Sequence, residues 1–205
     1  MNSLSLFSSH KKIILLLSIS FLAFAFTIKA LDVIKLVAET NHSTVGFSVP
    51  ISNGLTRITG KFTDFSIDIN YVDKYQTKSS FSVSINIASI NTGIPARDED
   101  LKTKDFFEID KYPQATFLSD SISKTNAGFI TYGKFQMHGI TKNIALPFRI
   151  TGMDGDDIIG FSSRYVLKRS DFGVGTEFKH TTDDNFIGND INIEIDFWTK
   201  RAKEK

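Results

Sequence analysis

Beyond Leu31, apolar and polar residues alternate along most of this chain. "FSVSINIASI" sets Phe81, Val83, Ile85 and Ile87 on one face and Ser82, Ser84 and Asn86 on the other. "STVGFSV" groups Val45, Phe47 and Val49, and "QATFLS" forms a short run around Phe117. "FITYGKFQM" aligns Phe129, Thr131, Gly133, Phe135 and Met137, and "IALPFRI" aligns Ile144, Leu146, Phe148 and Ile150. Toward the end, Ile159, Phe161, Ser163, Tyr165 and Leu167 share a face, as do Ile191, Ile193, Ile195 and Phe197. A period of two over such lengths predicts antiparallel strands with one dry face and one wet face. Turn signals at Asn53-Gly54, Asn126 to Gly128, His138-Gly139 and Asp154-Gly155-Asp156 separate the runs. The period slips between Phe62 and Phe65, which predicts a bulge in a bending strand.

About eight strands with one apolar face leave two architectures, a two-sheet sandwich or a closed barrel. Long strands favour the barrel, because closure removes exposed edges. The fold class read here is therefore all-β: an extended antiparallel barrel of about eight strands with a short helix closing one end. At this strand number the interior holds either side chains or one small ligand.

The helix is "ARDEDLKTKDFF". Asp98, Glu99 and Asp100 come early and Lys102 and Lys104 late, the order that suits the helix dipole. Leu101, Phe106 and Phe107 then point to one surface, and Pro113 prevents continuation into the next strand. These three apolar residues are expected to close the barrel.

Composition adds one fact to this picture. The chain has 19 Phe against a single Trp, so its interior is large and apolar, whether packed or hollow. The N-terminus reads separately. His10, Lys11 and Lys12 precede an apolar run from Ile13 to Ile28 that ends at Lys29-Ala30, the pattern of a secretory signal cleaved after Ala30. The expected organisation is thus a signal over 1–30 and one barrel domain over 31–205, periplasmic or secreted. Cleavage would remove Lys11, Lys12 and Lys29 and no acid, moving the net charge from +1 to −2. A mildly acidic domain is not a nucleic-acid binder. With no Cys there are no disulfides to stabilise it.

Catalytic constellations are missing from the sequence. His42, His138 and His180 have no metal-like spacing, there is no Gly-x-Ser-x-Gly elbow, and paired acids such as Asp183-Asp184 sit in turn-rich segments. His138, beside Gly139, reads as a turn residue on the polar face. The Asp171-Phe172-Gly173 triplet imitates a kinase motif with no other kinase feature present. The expectation is a protein without enzymatic activity, cofactor or metal.

Six segments in order carry a family resemblance: "HSTVGFSV" at His42, "GKFTDF" at Gly60, "DLKTKDFFEIDKYPQATF" at Asp100, "GKFQMHGITKNIALPF" at Gly133, "RSDFG" at Arg169 and "IGNDINIEID" at Ile187. Together they resemble the YceI family, lipocalin-like polyisoprenoid-binding proteins exported by bacteria, over residues 32–198. The resemblance implies that the barrel interior holds an amphiphilic isoprenoid lipid, a polyprenyl chain or a quinone, for transport, storage or sequestration. The implied cavity wall is the set of inward residues: Phe47 and Val49; Phe81, Val83, Ile85 and Ile87; Phe117; Phe129, Phe135 and Met137; Leu146 and Phe148; Phe161 and Tyr165; Ile193, Ile195 and Phe197. His42, Arg97 and Arg169 are candidate headgroup contacts, with surface ion pairing as the alternative for each. The partners implied are the lipid and a transient membrane or membrane-protein delivery partner, with a homodimer left open. Alternation alone leaves two other readings: a ligand-free interaction or adhesion module, and a hydrolase acting on an amphiphile.

Overall fold

A computed structural model describes residues 31–181, 183 and 185–203; the expected signal lies outside the described residues. Among the described residues eleven strands form one antiparallel sheet. They are β1 (Ile34–Ala38), β2 (Thr44–Ile51), β3 (Thr56–Phe62), β4 (Phe65–Tyr71), β5 (Ser80–Asn86), β6 (Ile90–Asn91), β7 (Gln114–Thr125), β8 (Gly128–Met137), β9 (Ile140–Asp154), β10 (Ile158–Lys168) and β11 (Asp190–Arg201). Among the described residues one α-helix, α1 (Pro95–Lys102), precedes β7.

Eight of the strands close a ring in the order β1-β4-β5-β7-β8-β9-β10-β11, with β11 returning to β1. The remaining three lengthen one end of it. β11 pairs with β1 through Thr199 to Arg201 and with β2 through Asn192 to Asp196, so β1 and β2 lie in series along one neighbour. β3 and β4 are likewise in series. The slip expected between Phe62 and Phe65 is a break between these strands at Thr63 and Asp64, whose N–H groups both donate to Ser89 Oγ at 3.2 and 3.0 Å. A serine side chain thus stands in for the missing ladder partner.

The alternation places its dry face inward throughout. At the end farther from α1, Leu36, Ile67, Ile69, Phe81, Ile159 and Phe161 form a packed core, each 8% exposed or less. Burying a side chain of this size contributes about 1.5–3 kcal/mol. At the α1 end a smaller cluster joins Ile87, Ala115, Met137, Leu167, Phe172 and Val174. β7 and β8 approach so closely that a Cβ on Gly133 would lie 2.3 Å from the Leu118 carbonyl oxygen, and only glycine fits there. Among the described residues no helix is long and apolar enough to cross a membrane.

Candidate functional site

Between the packed core and α1 the barrel is hollow. The cavity has a volume of about 410 Å³, within the range of small-molecule sites. Its wall takes Phe47 and Val49 from β2, Val83 and Ile85 from β5 with Ile87 beyond it, and Phe117 from β7. Phe135 and Met137 of β8, Leu146 of β9, Tyr165 of β10, and Ile193 and Ile195 of β11 also line it, as the family resemblance implied. Five expected residues lie elsewhere. Phe81, Phe148, Phe161 and Phe197 line a second, deeper void of about 50 Å³, and Phe129 borders neither space. These rings pack on one another: Phe161 stacks on Phe197 with centroids 5.0 Å apart, and Phe129 on Phe148 at 5.2 Å. They sit on the dry face, as alternation requires, but in the part of the barrel that side chains fill.

The roof is built from α1 and the turns after it. Pro95, with its fixed φ, starts the helix, and the Thr103 N–H and Oγ1 both donate to the Asp100 carbonyl at its end. The chain then doubles back: Phe106 N–H donates to Thr103 O, Phe107 N–H to Leu101 O and Ile109 N–H to Lys102 O. This fold-back brings Leu101, Phe106 and Phe107 onto the cavity wall together. Phe107 meets Phe62 edge to face at 6.5 Å. A second roof segment supplies Val174, Phe178, Phe186 and Ile187.

Of the three candidate headgroup residues, two reach the cavity. Arg97 lies on its wall, held by Nε to Thr92 Oγ1 (2.8 Å) and Nη2 to Thr92 O (2.9 Å). Thr92 in turn donates to Asp98, which together with the neighbouring cations holds that carboxyl below its ordinary range. Arg169 also lines the cavity, but four of its five N–H groups are engaged. Nε donates to Gly188 O, Nη1 to Val174 O and Gly175 O, and Nη2 to Ile187 O, at 2.7–3.1 Å. Burial pushes its pKa down. It joins the two ends of the second roof segment. His42 stands on the outer surface, its ring 5.1 Å from Trp198, which lies toward the core end of β11.

His138 differs from its expected place. It is a turn residue, with φ of 51°, but its ring is mostly covered, 16% exposed, instead of standing in solvent. Nδ1 lies 2.9 Å from Phe172 O, and the ring packs edge to face on Tyr112. Sequence reasoning also missed cavity residues. Leu167 and Ile191 lie on alternating faces and were legible in the pattern, whereas Phe178, Phe186 and Ile187 come from a segment without periodicity.

A closed eight-stranded barrel with an apolar hollow under an aromatic roof defines a barrel-type binding protein. The chain belongs to the YceI family: the model of the YceI-like domain matches residues 36–198. A UPF0312 protein of Yersinia enterocolitica is 29% identical over 147 residues, covering 70% of this chain and 76% of that protein. The crystal structure of a Campylobacter jejuni YceI protein is 31% identical, with a TM-score of 0.64 over 73% of this chain and 88% of that one. A polyisoprenoid binding domain from Saccharophagus degradans, implicated in plant cell wall breakdown, shares the fold at 15% identity, with a TM-score of 0.67 over 82% and 99% of the two chains.

Proposed function

We propose that this protein is an exported carrier or sequestering protein that holds an isoprenoid lipid, a polyprenyl compound or isoprenoid quinone, in the barrel. The observation that carries the reading is the cavity: about 410 Å³ bounded almost wholly by Val, Ile, Leu, Met and Phe side chains. Such a space rewards hydrocarbon, at about 0.8 kcal/mol for each CH₂ withdrawn from water. The polyisoprenoid-binding domain among the structural neighbours supports a common architecture, and the chemistry of the wall supports the ligand class. In this reading the residues lining the cavity bind the chain, and Leu101, Phe106 and Phe107 retain it. Arg97 faces whatever part of the ligand lies nearest α1. No bond is made or broken, so the protein delivers its ligand unchanged to a membrane or membrane protein.

Native mass spectrometry of protein purified from its own cell tests this directly. The expected result is a non-covalent adduct whose extracted mass is that of an isoprenoid. A protein isolated empty that takes up no isoprenoid on incubation would overturn the reading, and a bound straight-chain acyl lipid would overturn its isoprenoid part. N-terminal sequencing of the same material tests export, with Leu31 the expected first residue.

A further inference from the structure

The hollow does not end at Phe117 and Leu146. These two residues, with Val45, Val83, Ile85 and Ile195, line both the main cavity and the deeper void of about 50 Å³, so the two spaces adjoin. The deeper void is walled by Phe81, Phe148, Phe161 and Phe197, but it also touches Thr131. Thr131 is 2% exposed, and its Oγ1 is buried with no hydrogen-bond partner among the described residues. Ser163 lines the same void. Its Oγ donates to Pro147 O at 2.6 Å, which leaves the oxygen free to accept.

In an interior built only for packing, this arrangement is unfavourable. Valine has nearly the shape of threonine and would fill the position without burying an unpaired hydroxyl. A hydroxyl there is stabilising only when something polar meets it. The two side chains offer one free donor at Thr131 and acceptor capacity at both oxygens. That set matches a single hydroxyl, which donates to one and accepts from the other. A phosphate would be buried without a cation. A quinone carbonyl only accepts, so it would use the Thr131 donor and leave the acceptor capacity of both oxygens unused.

We propose that the deep void is the seat of one ligand oxygen, and that the preferred ligand is an isoprenoid alcohol inserted hydroxyl first. Its chain then fills the main cavity and its hydrocarbon end lies beneath the aromatic roof. The proposal rests on the isoprenoid reading above and narrows it.

The test measures binding of geranylgeraniol and of the corresponding hydrocarbon without the hydroxyl to delipidated wild-type protein, Thr131→Val and Thr131→Ser. One hydrogen bond is worth about three- to tenfold in affinity. Wild type and Thr131→Ser should favour the alcohol by that factor, and Thr131→Val should lose the preference while binding the hydrocarbon at least as well. Equal affinity of wild type for the two probes, or an undiminished preference in Thr131→Val, would assign the void to a water molecule and overturn the deep subsite while leaving the isoprenoid reading in place. Failure of wild type to bind either probe would remove both.

Discussion

Phe106 and Phe178 face each other with ring centroids 5.1 Å apart, joining the turn after α1 to the loop between β10 and β11. Both rings line the cavity, and Gly175, with φ of +63°, lets the second segment pass close to Phe106: a Cβ there would lie 2.9 Å from the ring. The roof therefore consists of two pieces held together by an aromatic contact. Changing Phe106 and Phe107 together to Ser should speed ligand loss severalfold. Full burial of a Phe is worth about 3–5 kcal/mol on truncation, and these rings are half-buried, so about 2 kcal/mol for each is expected. Stopped-flow release of a fluorescent polyprenyl probe, with thermal unfolding alongside, checks both effects. Unchanged release and melting would show that the pair does not close the barrel.

Arg169 should behave as a structural clamp. Its four hydrogen bonds to carbonyls of Val174, Gly175, Ile187 and Gly188 depend on the planar fork of a guanidinium, which lysine lacks. Arg169→Lys should destabilise the protein by about 2–3 kcal/mol, the range for hydrogen bonds to a charged group. It should also raise hydrogen exchange at the amides of Val174 and Gly188, which donate to Arg169 O and Pro50 O. A variant of wild-type stability with weakened ligand binding would instead make Arg169 a ligand contact.

The barrel was legible because its signal is periodic. Every run from Val45 to Phe197 that alternates in the sequence turns its apolar members inward, and the slip at Phe62 to Phe65 falls where β3 passes to β4. Alternation reports only which side is dry. It cannot separate Phe81, which packs against Phe148 at 5.1 Å, from Val83 two residues on, which lines the main cavity. That division depends on where side chains from opposite walls meet. The second roof segment was illegible for another reason: its shape is set by Arg169 and by backbone hydrogen bonds from Ser52 to Phe186 and from Gly188 to Pro50, contacts that leave no local pattern. His42 was misplaced because proximity to a strand start does not say which end of the barrel that start occupies.

Val83 borders both spaces, so its size should gate occupancy. Val83→Trp should block polyprenyl binding while leaving a folded barrel, since side-chain volume replaces ligand volume. Overpacking a filled core costs about 1–3 kcal/mol; in a hollow interior that penalty should be small. Lipid content by mass spectrometry and thermal unfolding of the delipidated proteins provide the two readings. A plainly destabilised variant alongside a wild type that never carries lipid would leave only a packed barrel.

Thr199 shows how the far end of the barrel is held. It is 2% exposed, and its Oγ1 accepts from the Ile159 N–H at 3.1 Å while donating to Asp157 O at 2.7 Å. Thr199→Val keeps the shape and strands a buried N–H, so a loss of about 1–3 kcal/mol is expected. Urea unfolding measures it. Because this end lies beyond the packed core, ligand release should not change, and a variant that sheds ligand faster would mean that the two ends are coupled.

The Arg164–Asp196 pair on the outer face sets an acid limit of modest size. Arg164 donates to both carboxylate oxygens, at 3.1 and 2.7 Å, and this holds the Asp196 pKa below its ordinary value against the opposing effect of burial. A carboxyl with a depressed folded pKa stabilises fully above its unfolded pKa, near 4, and loses that contribution as pH falls through the folded value. Both side chains are about half exposed, 52% and 46%, so solvent screening limits the pair to under about 1 kcal/mol. Asp196→Asn should therefore be slightly less stable than wild type at pH 7, with the gap narrowing as pH falls below about 4. Urea unfolding of the two proteins from pH 7 downward decides it: a gap that does not narrow below about pH 4 would mean that Asp196 acts through packing, not charge.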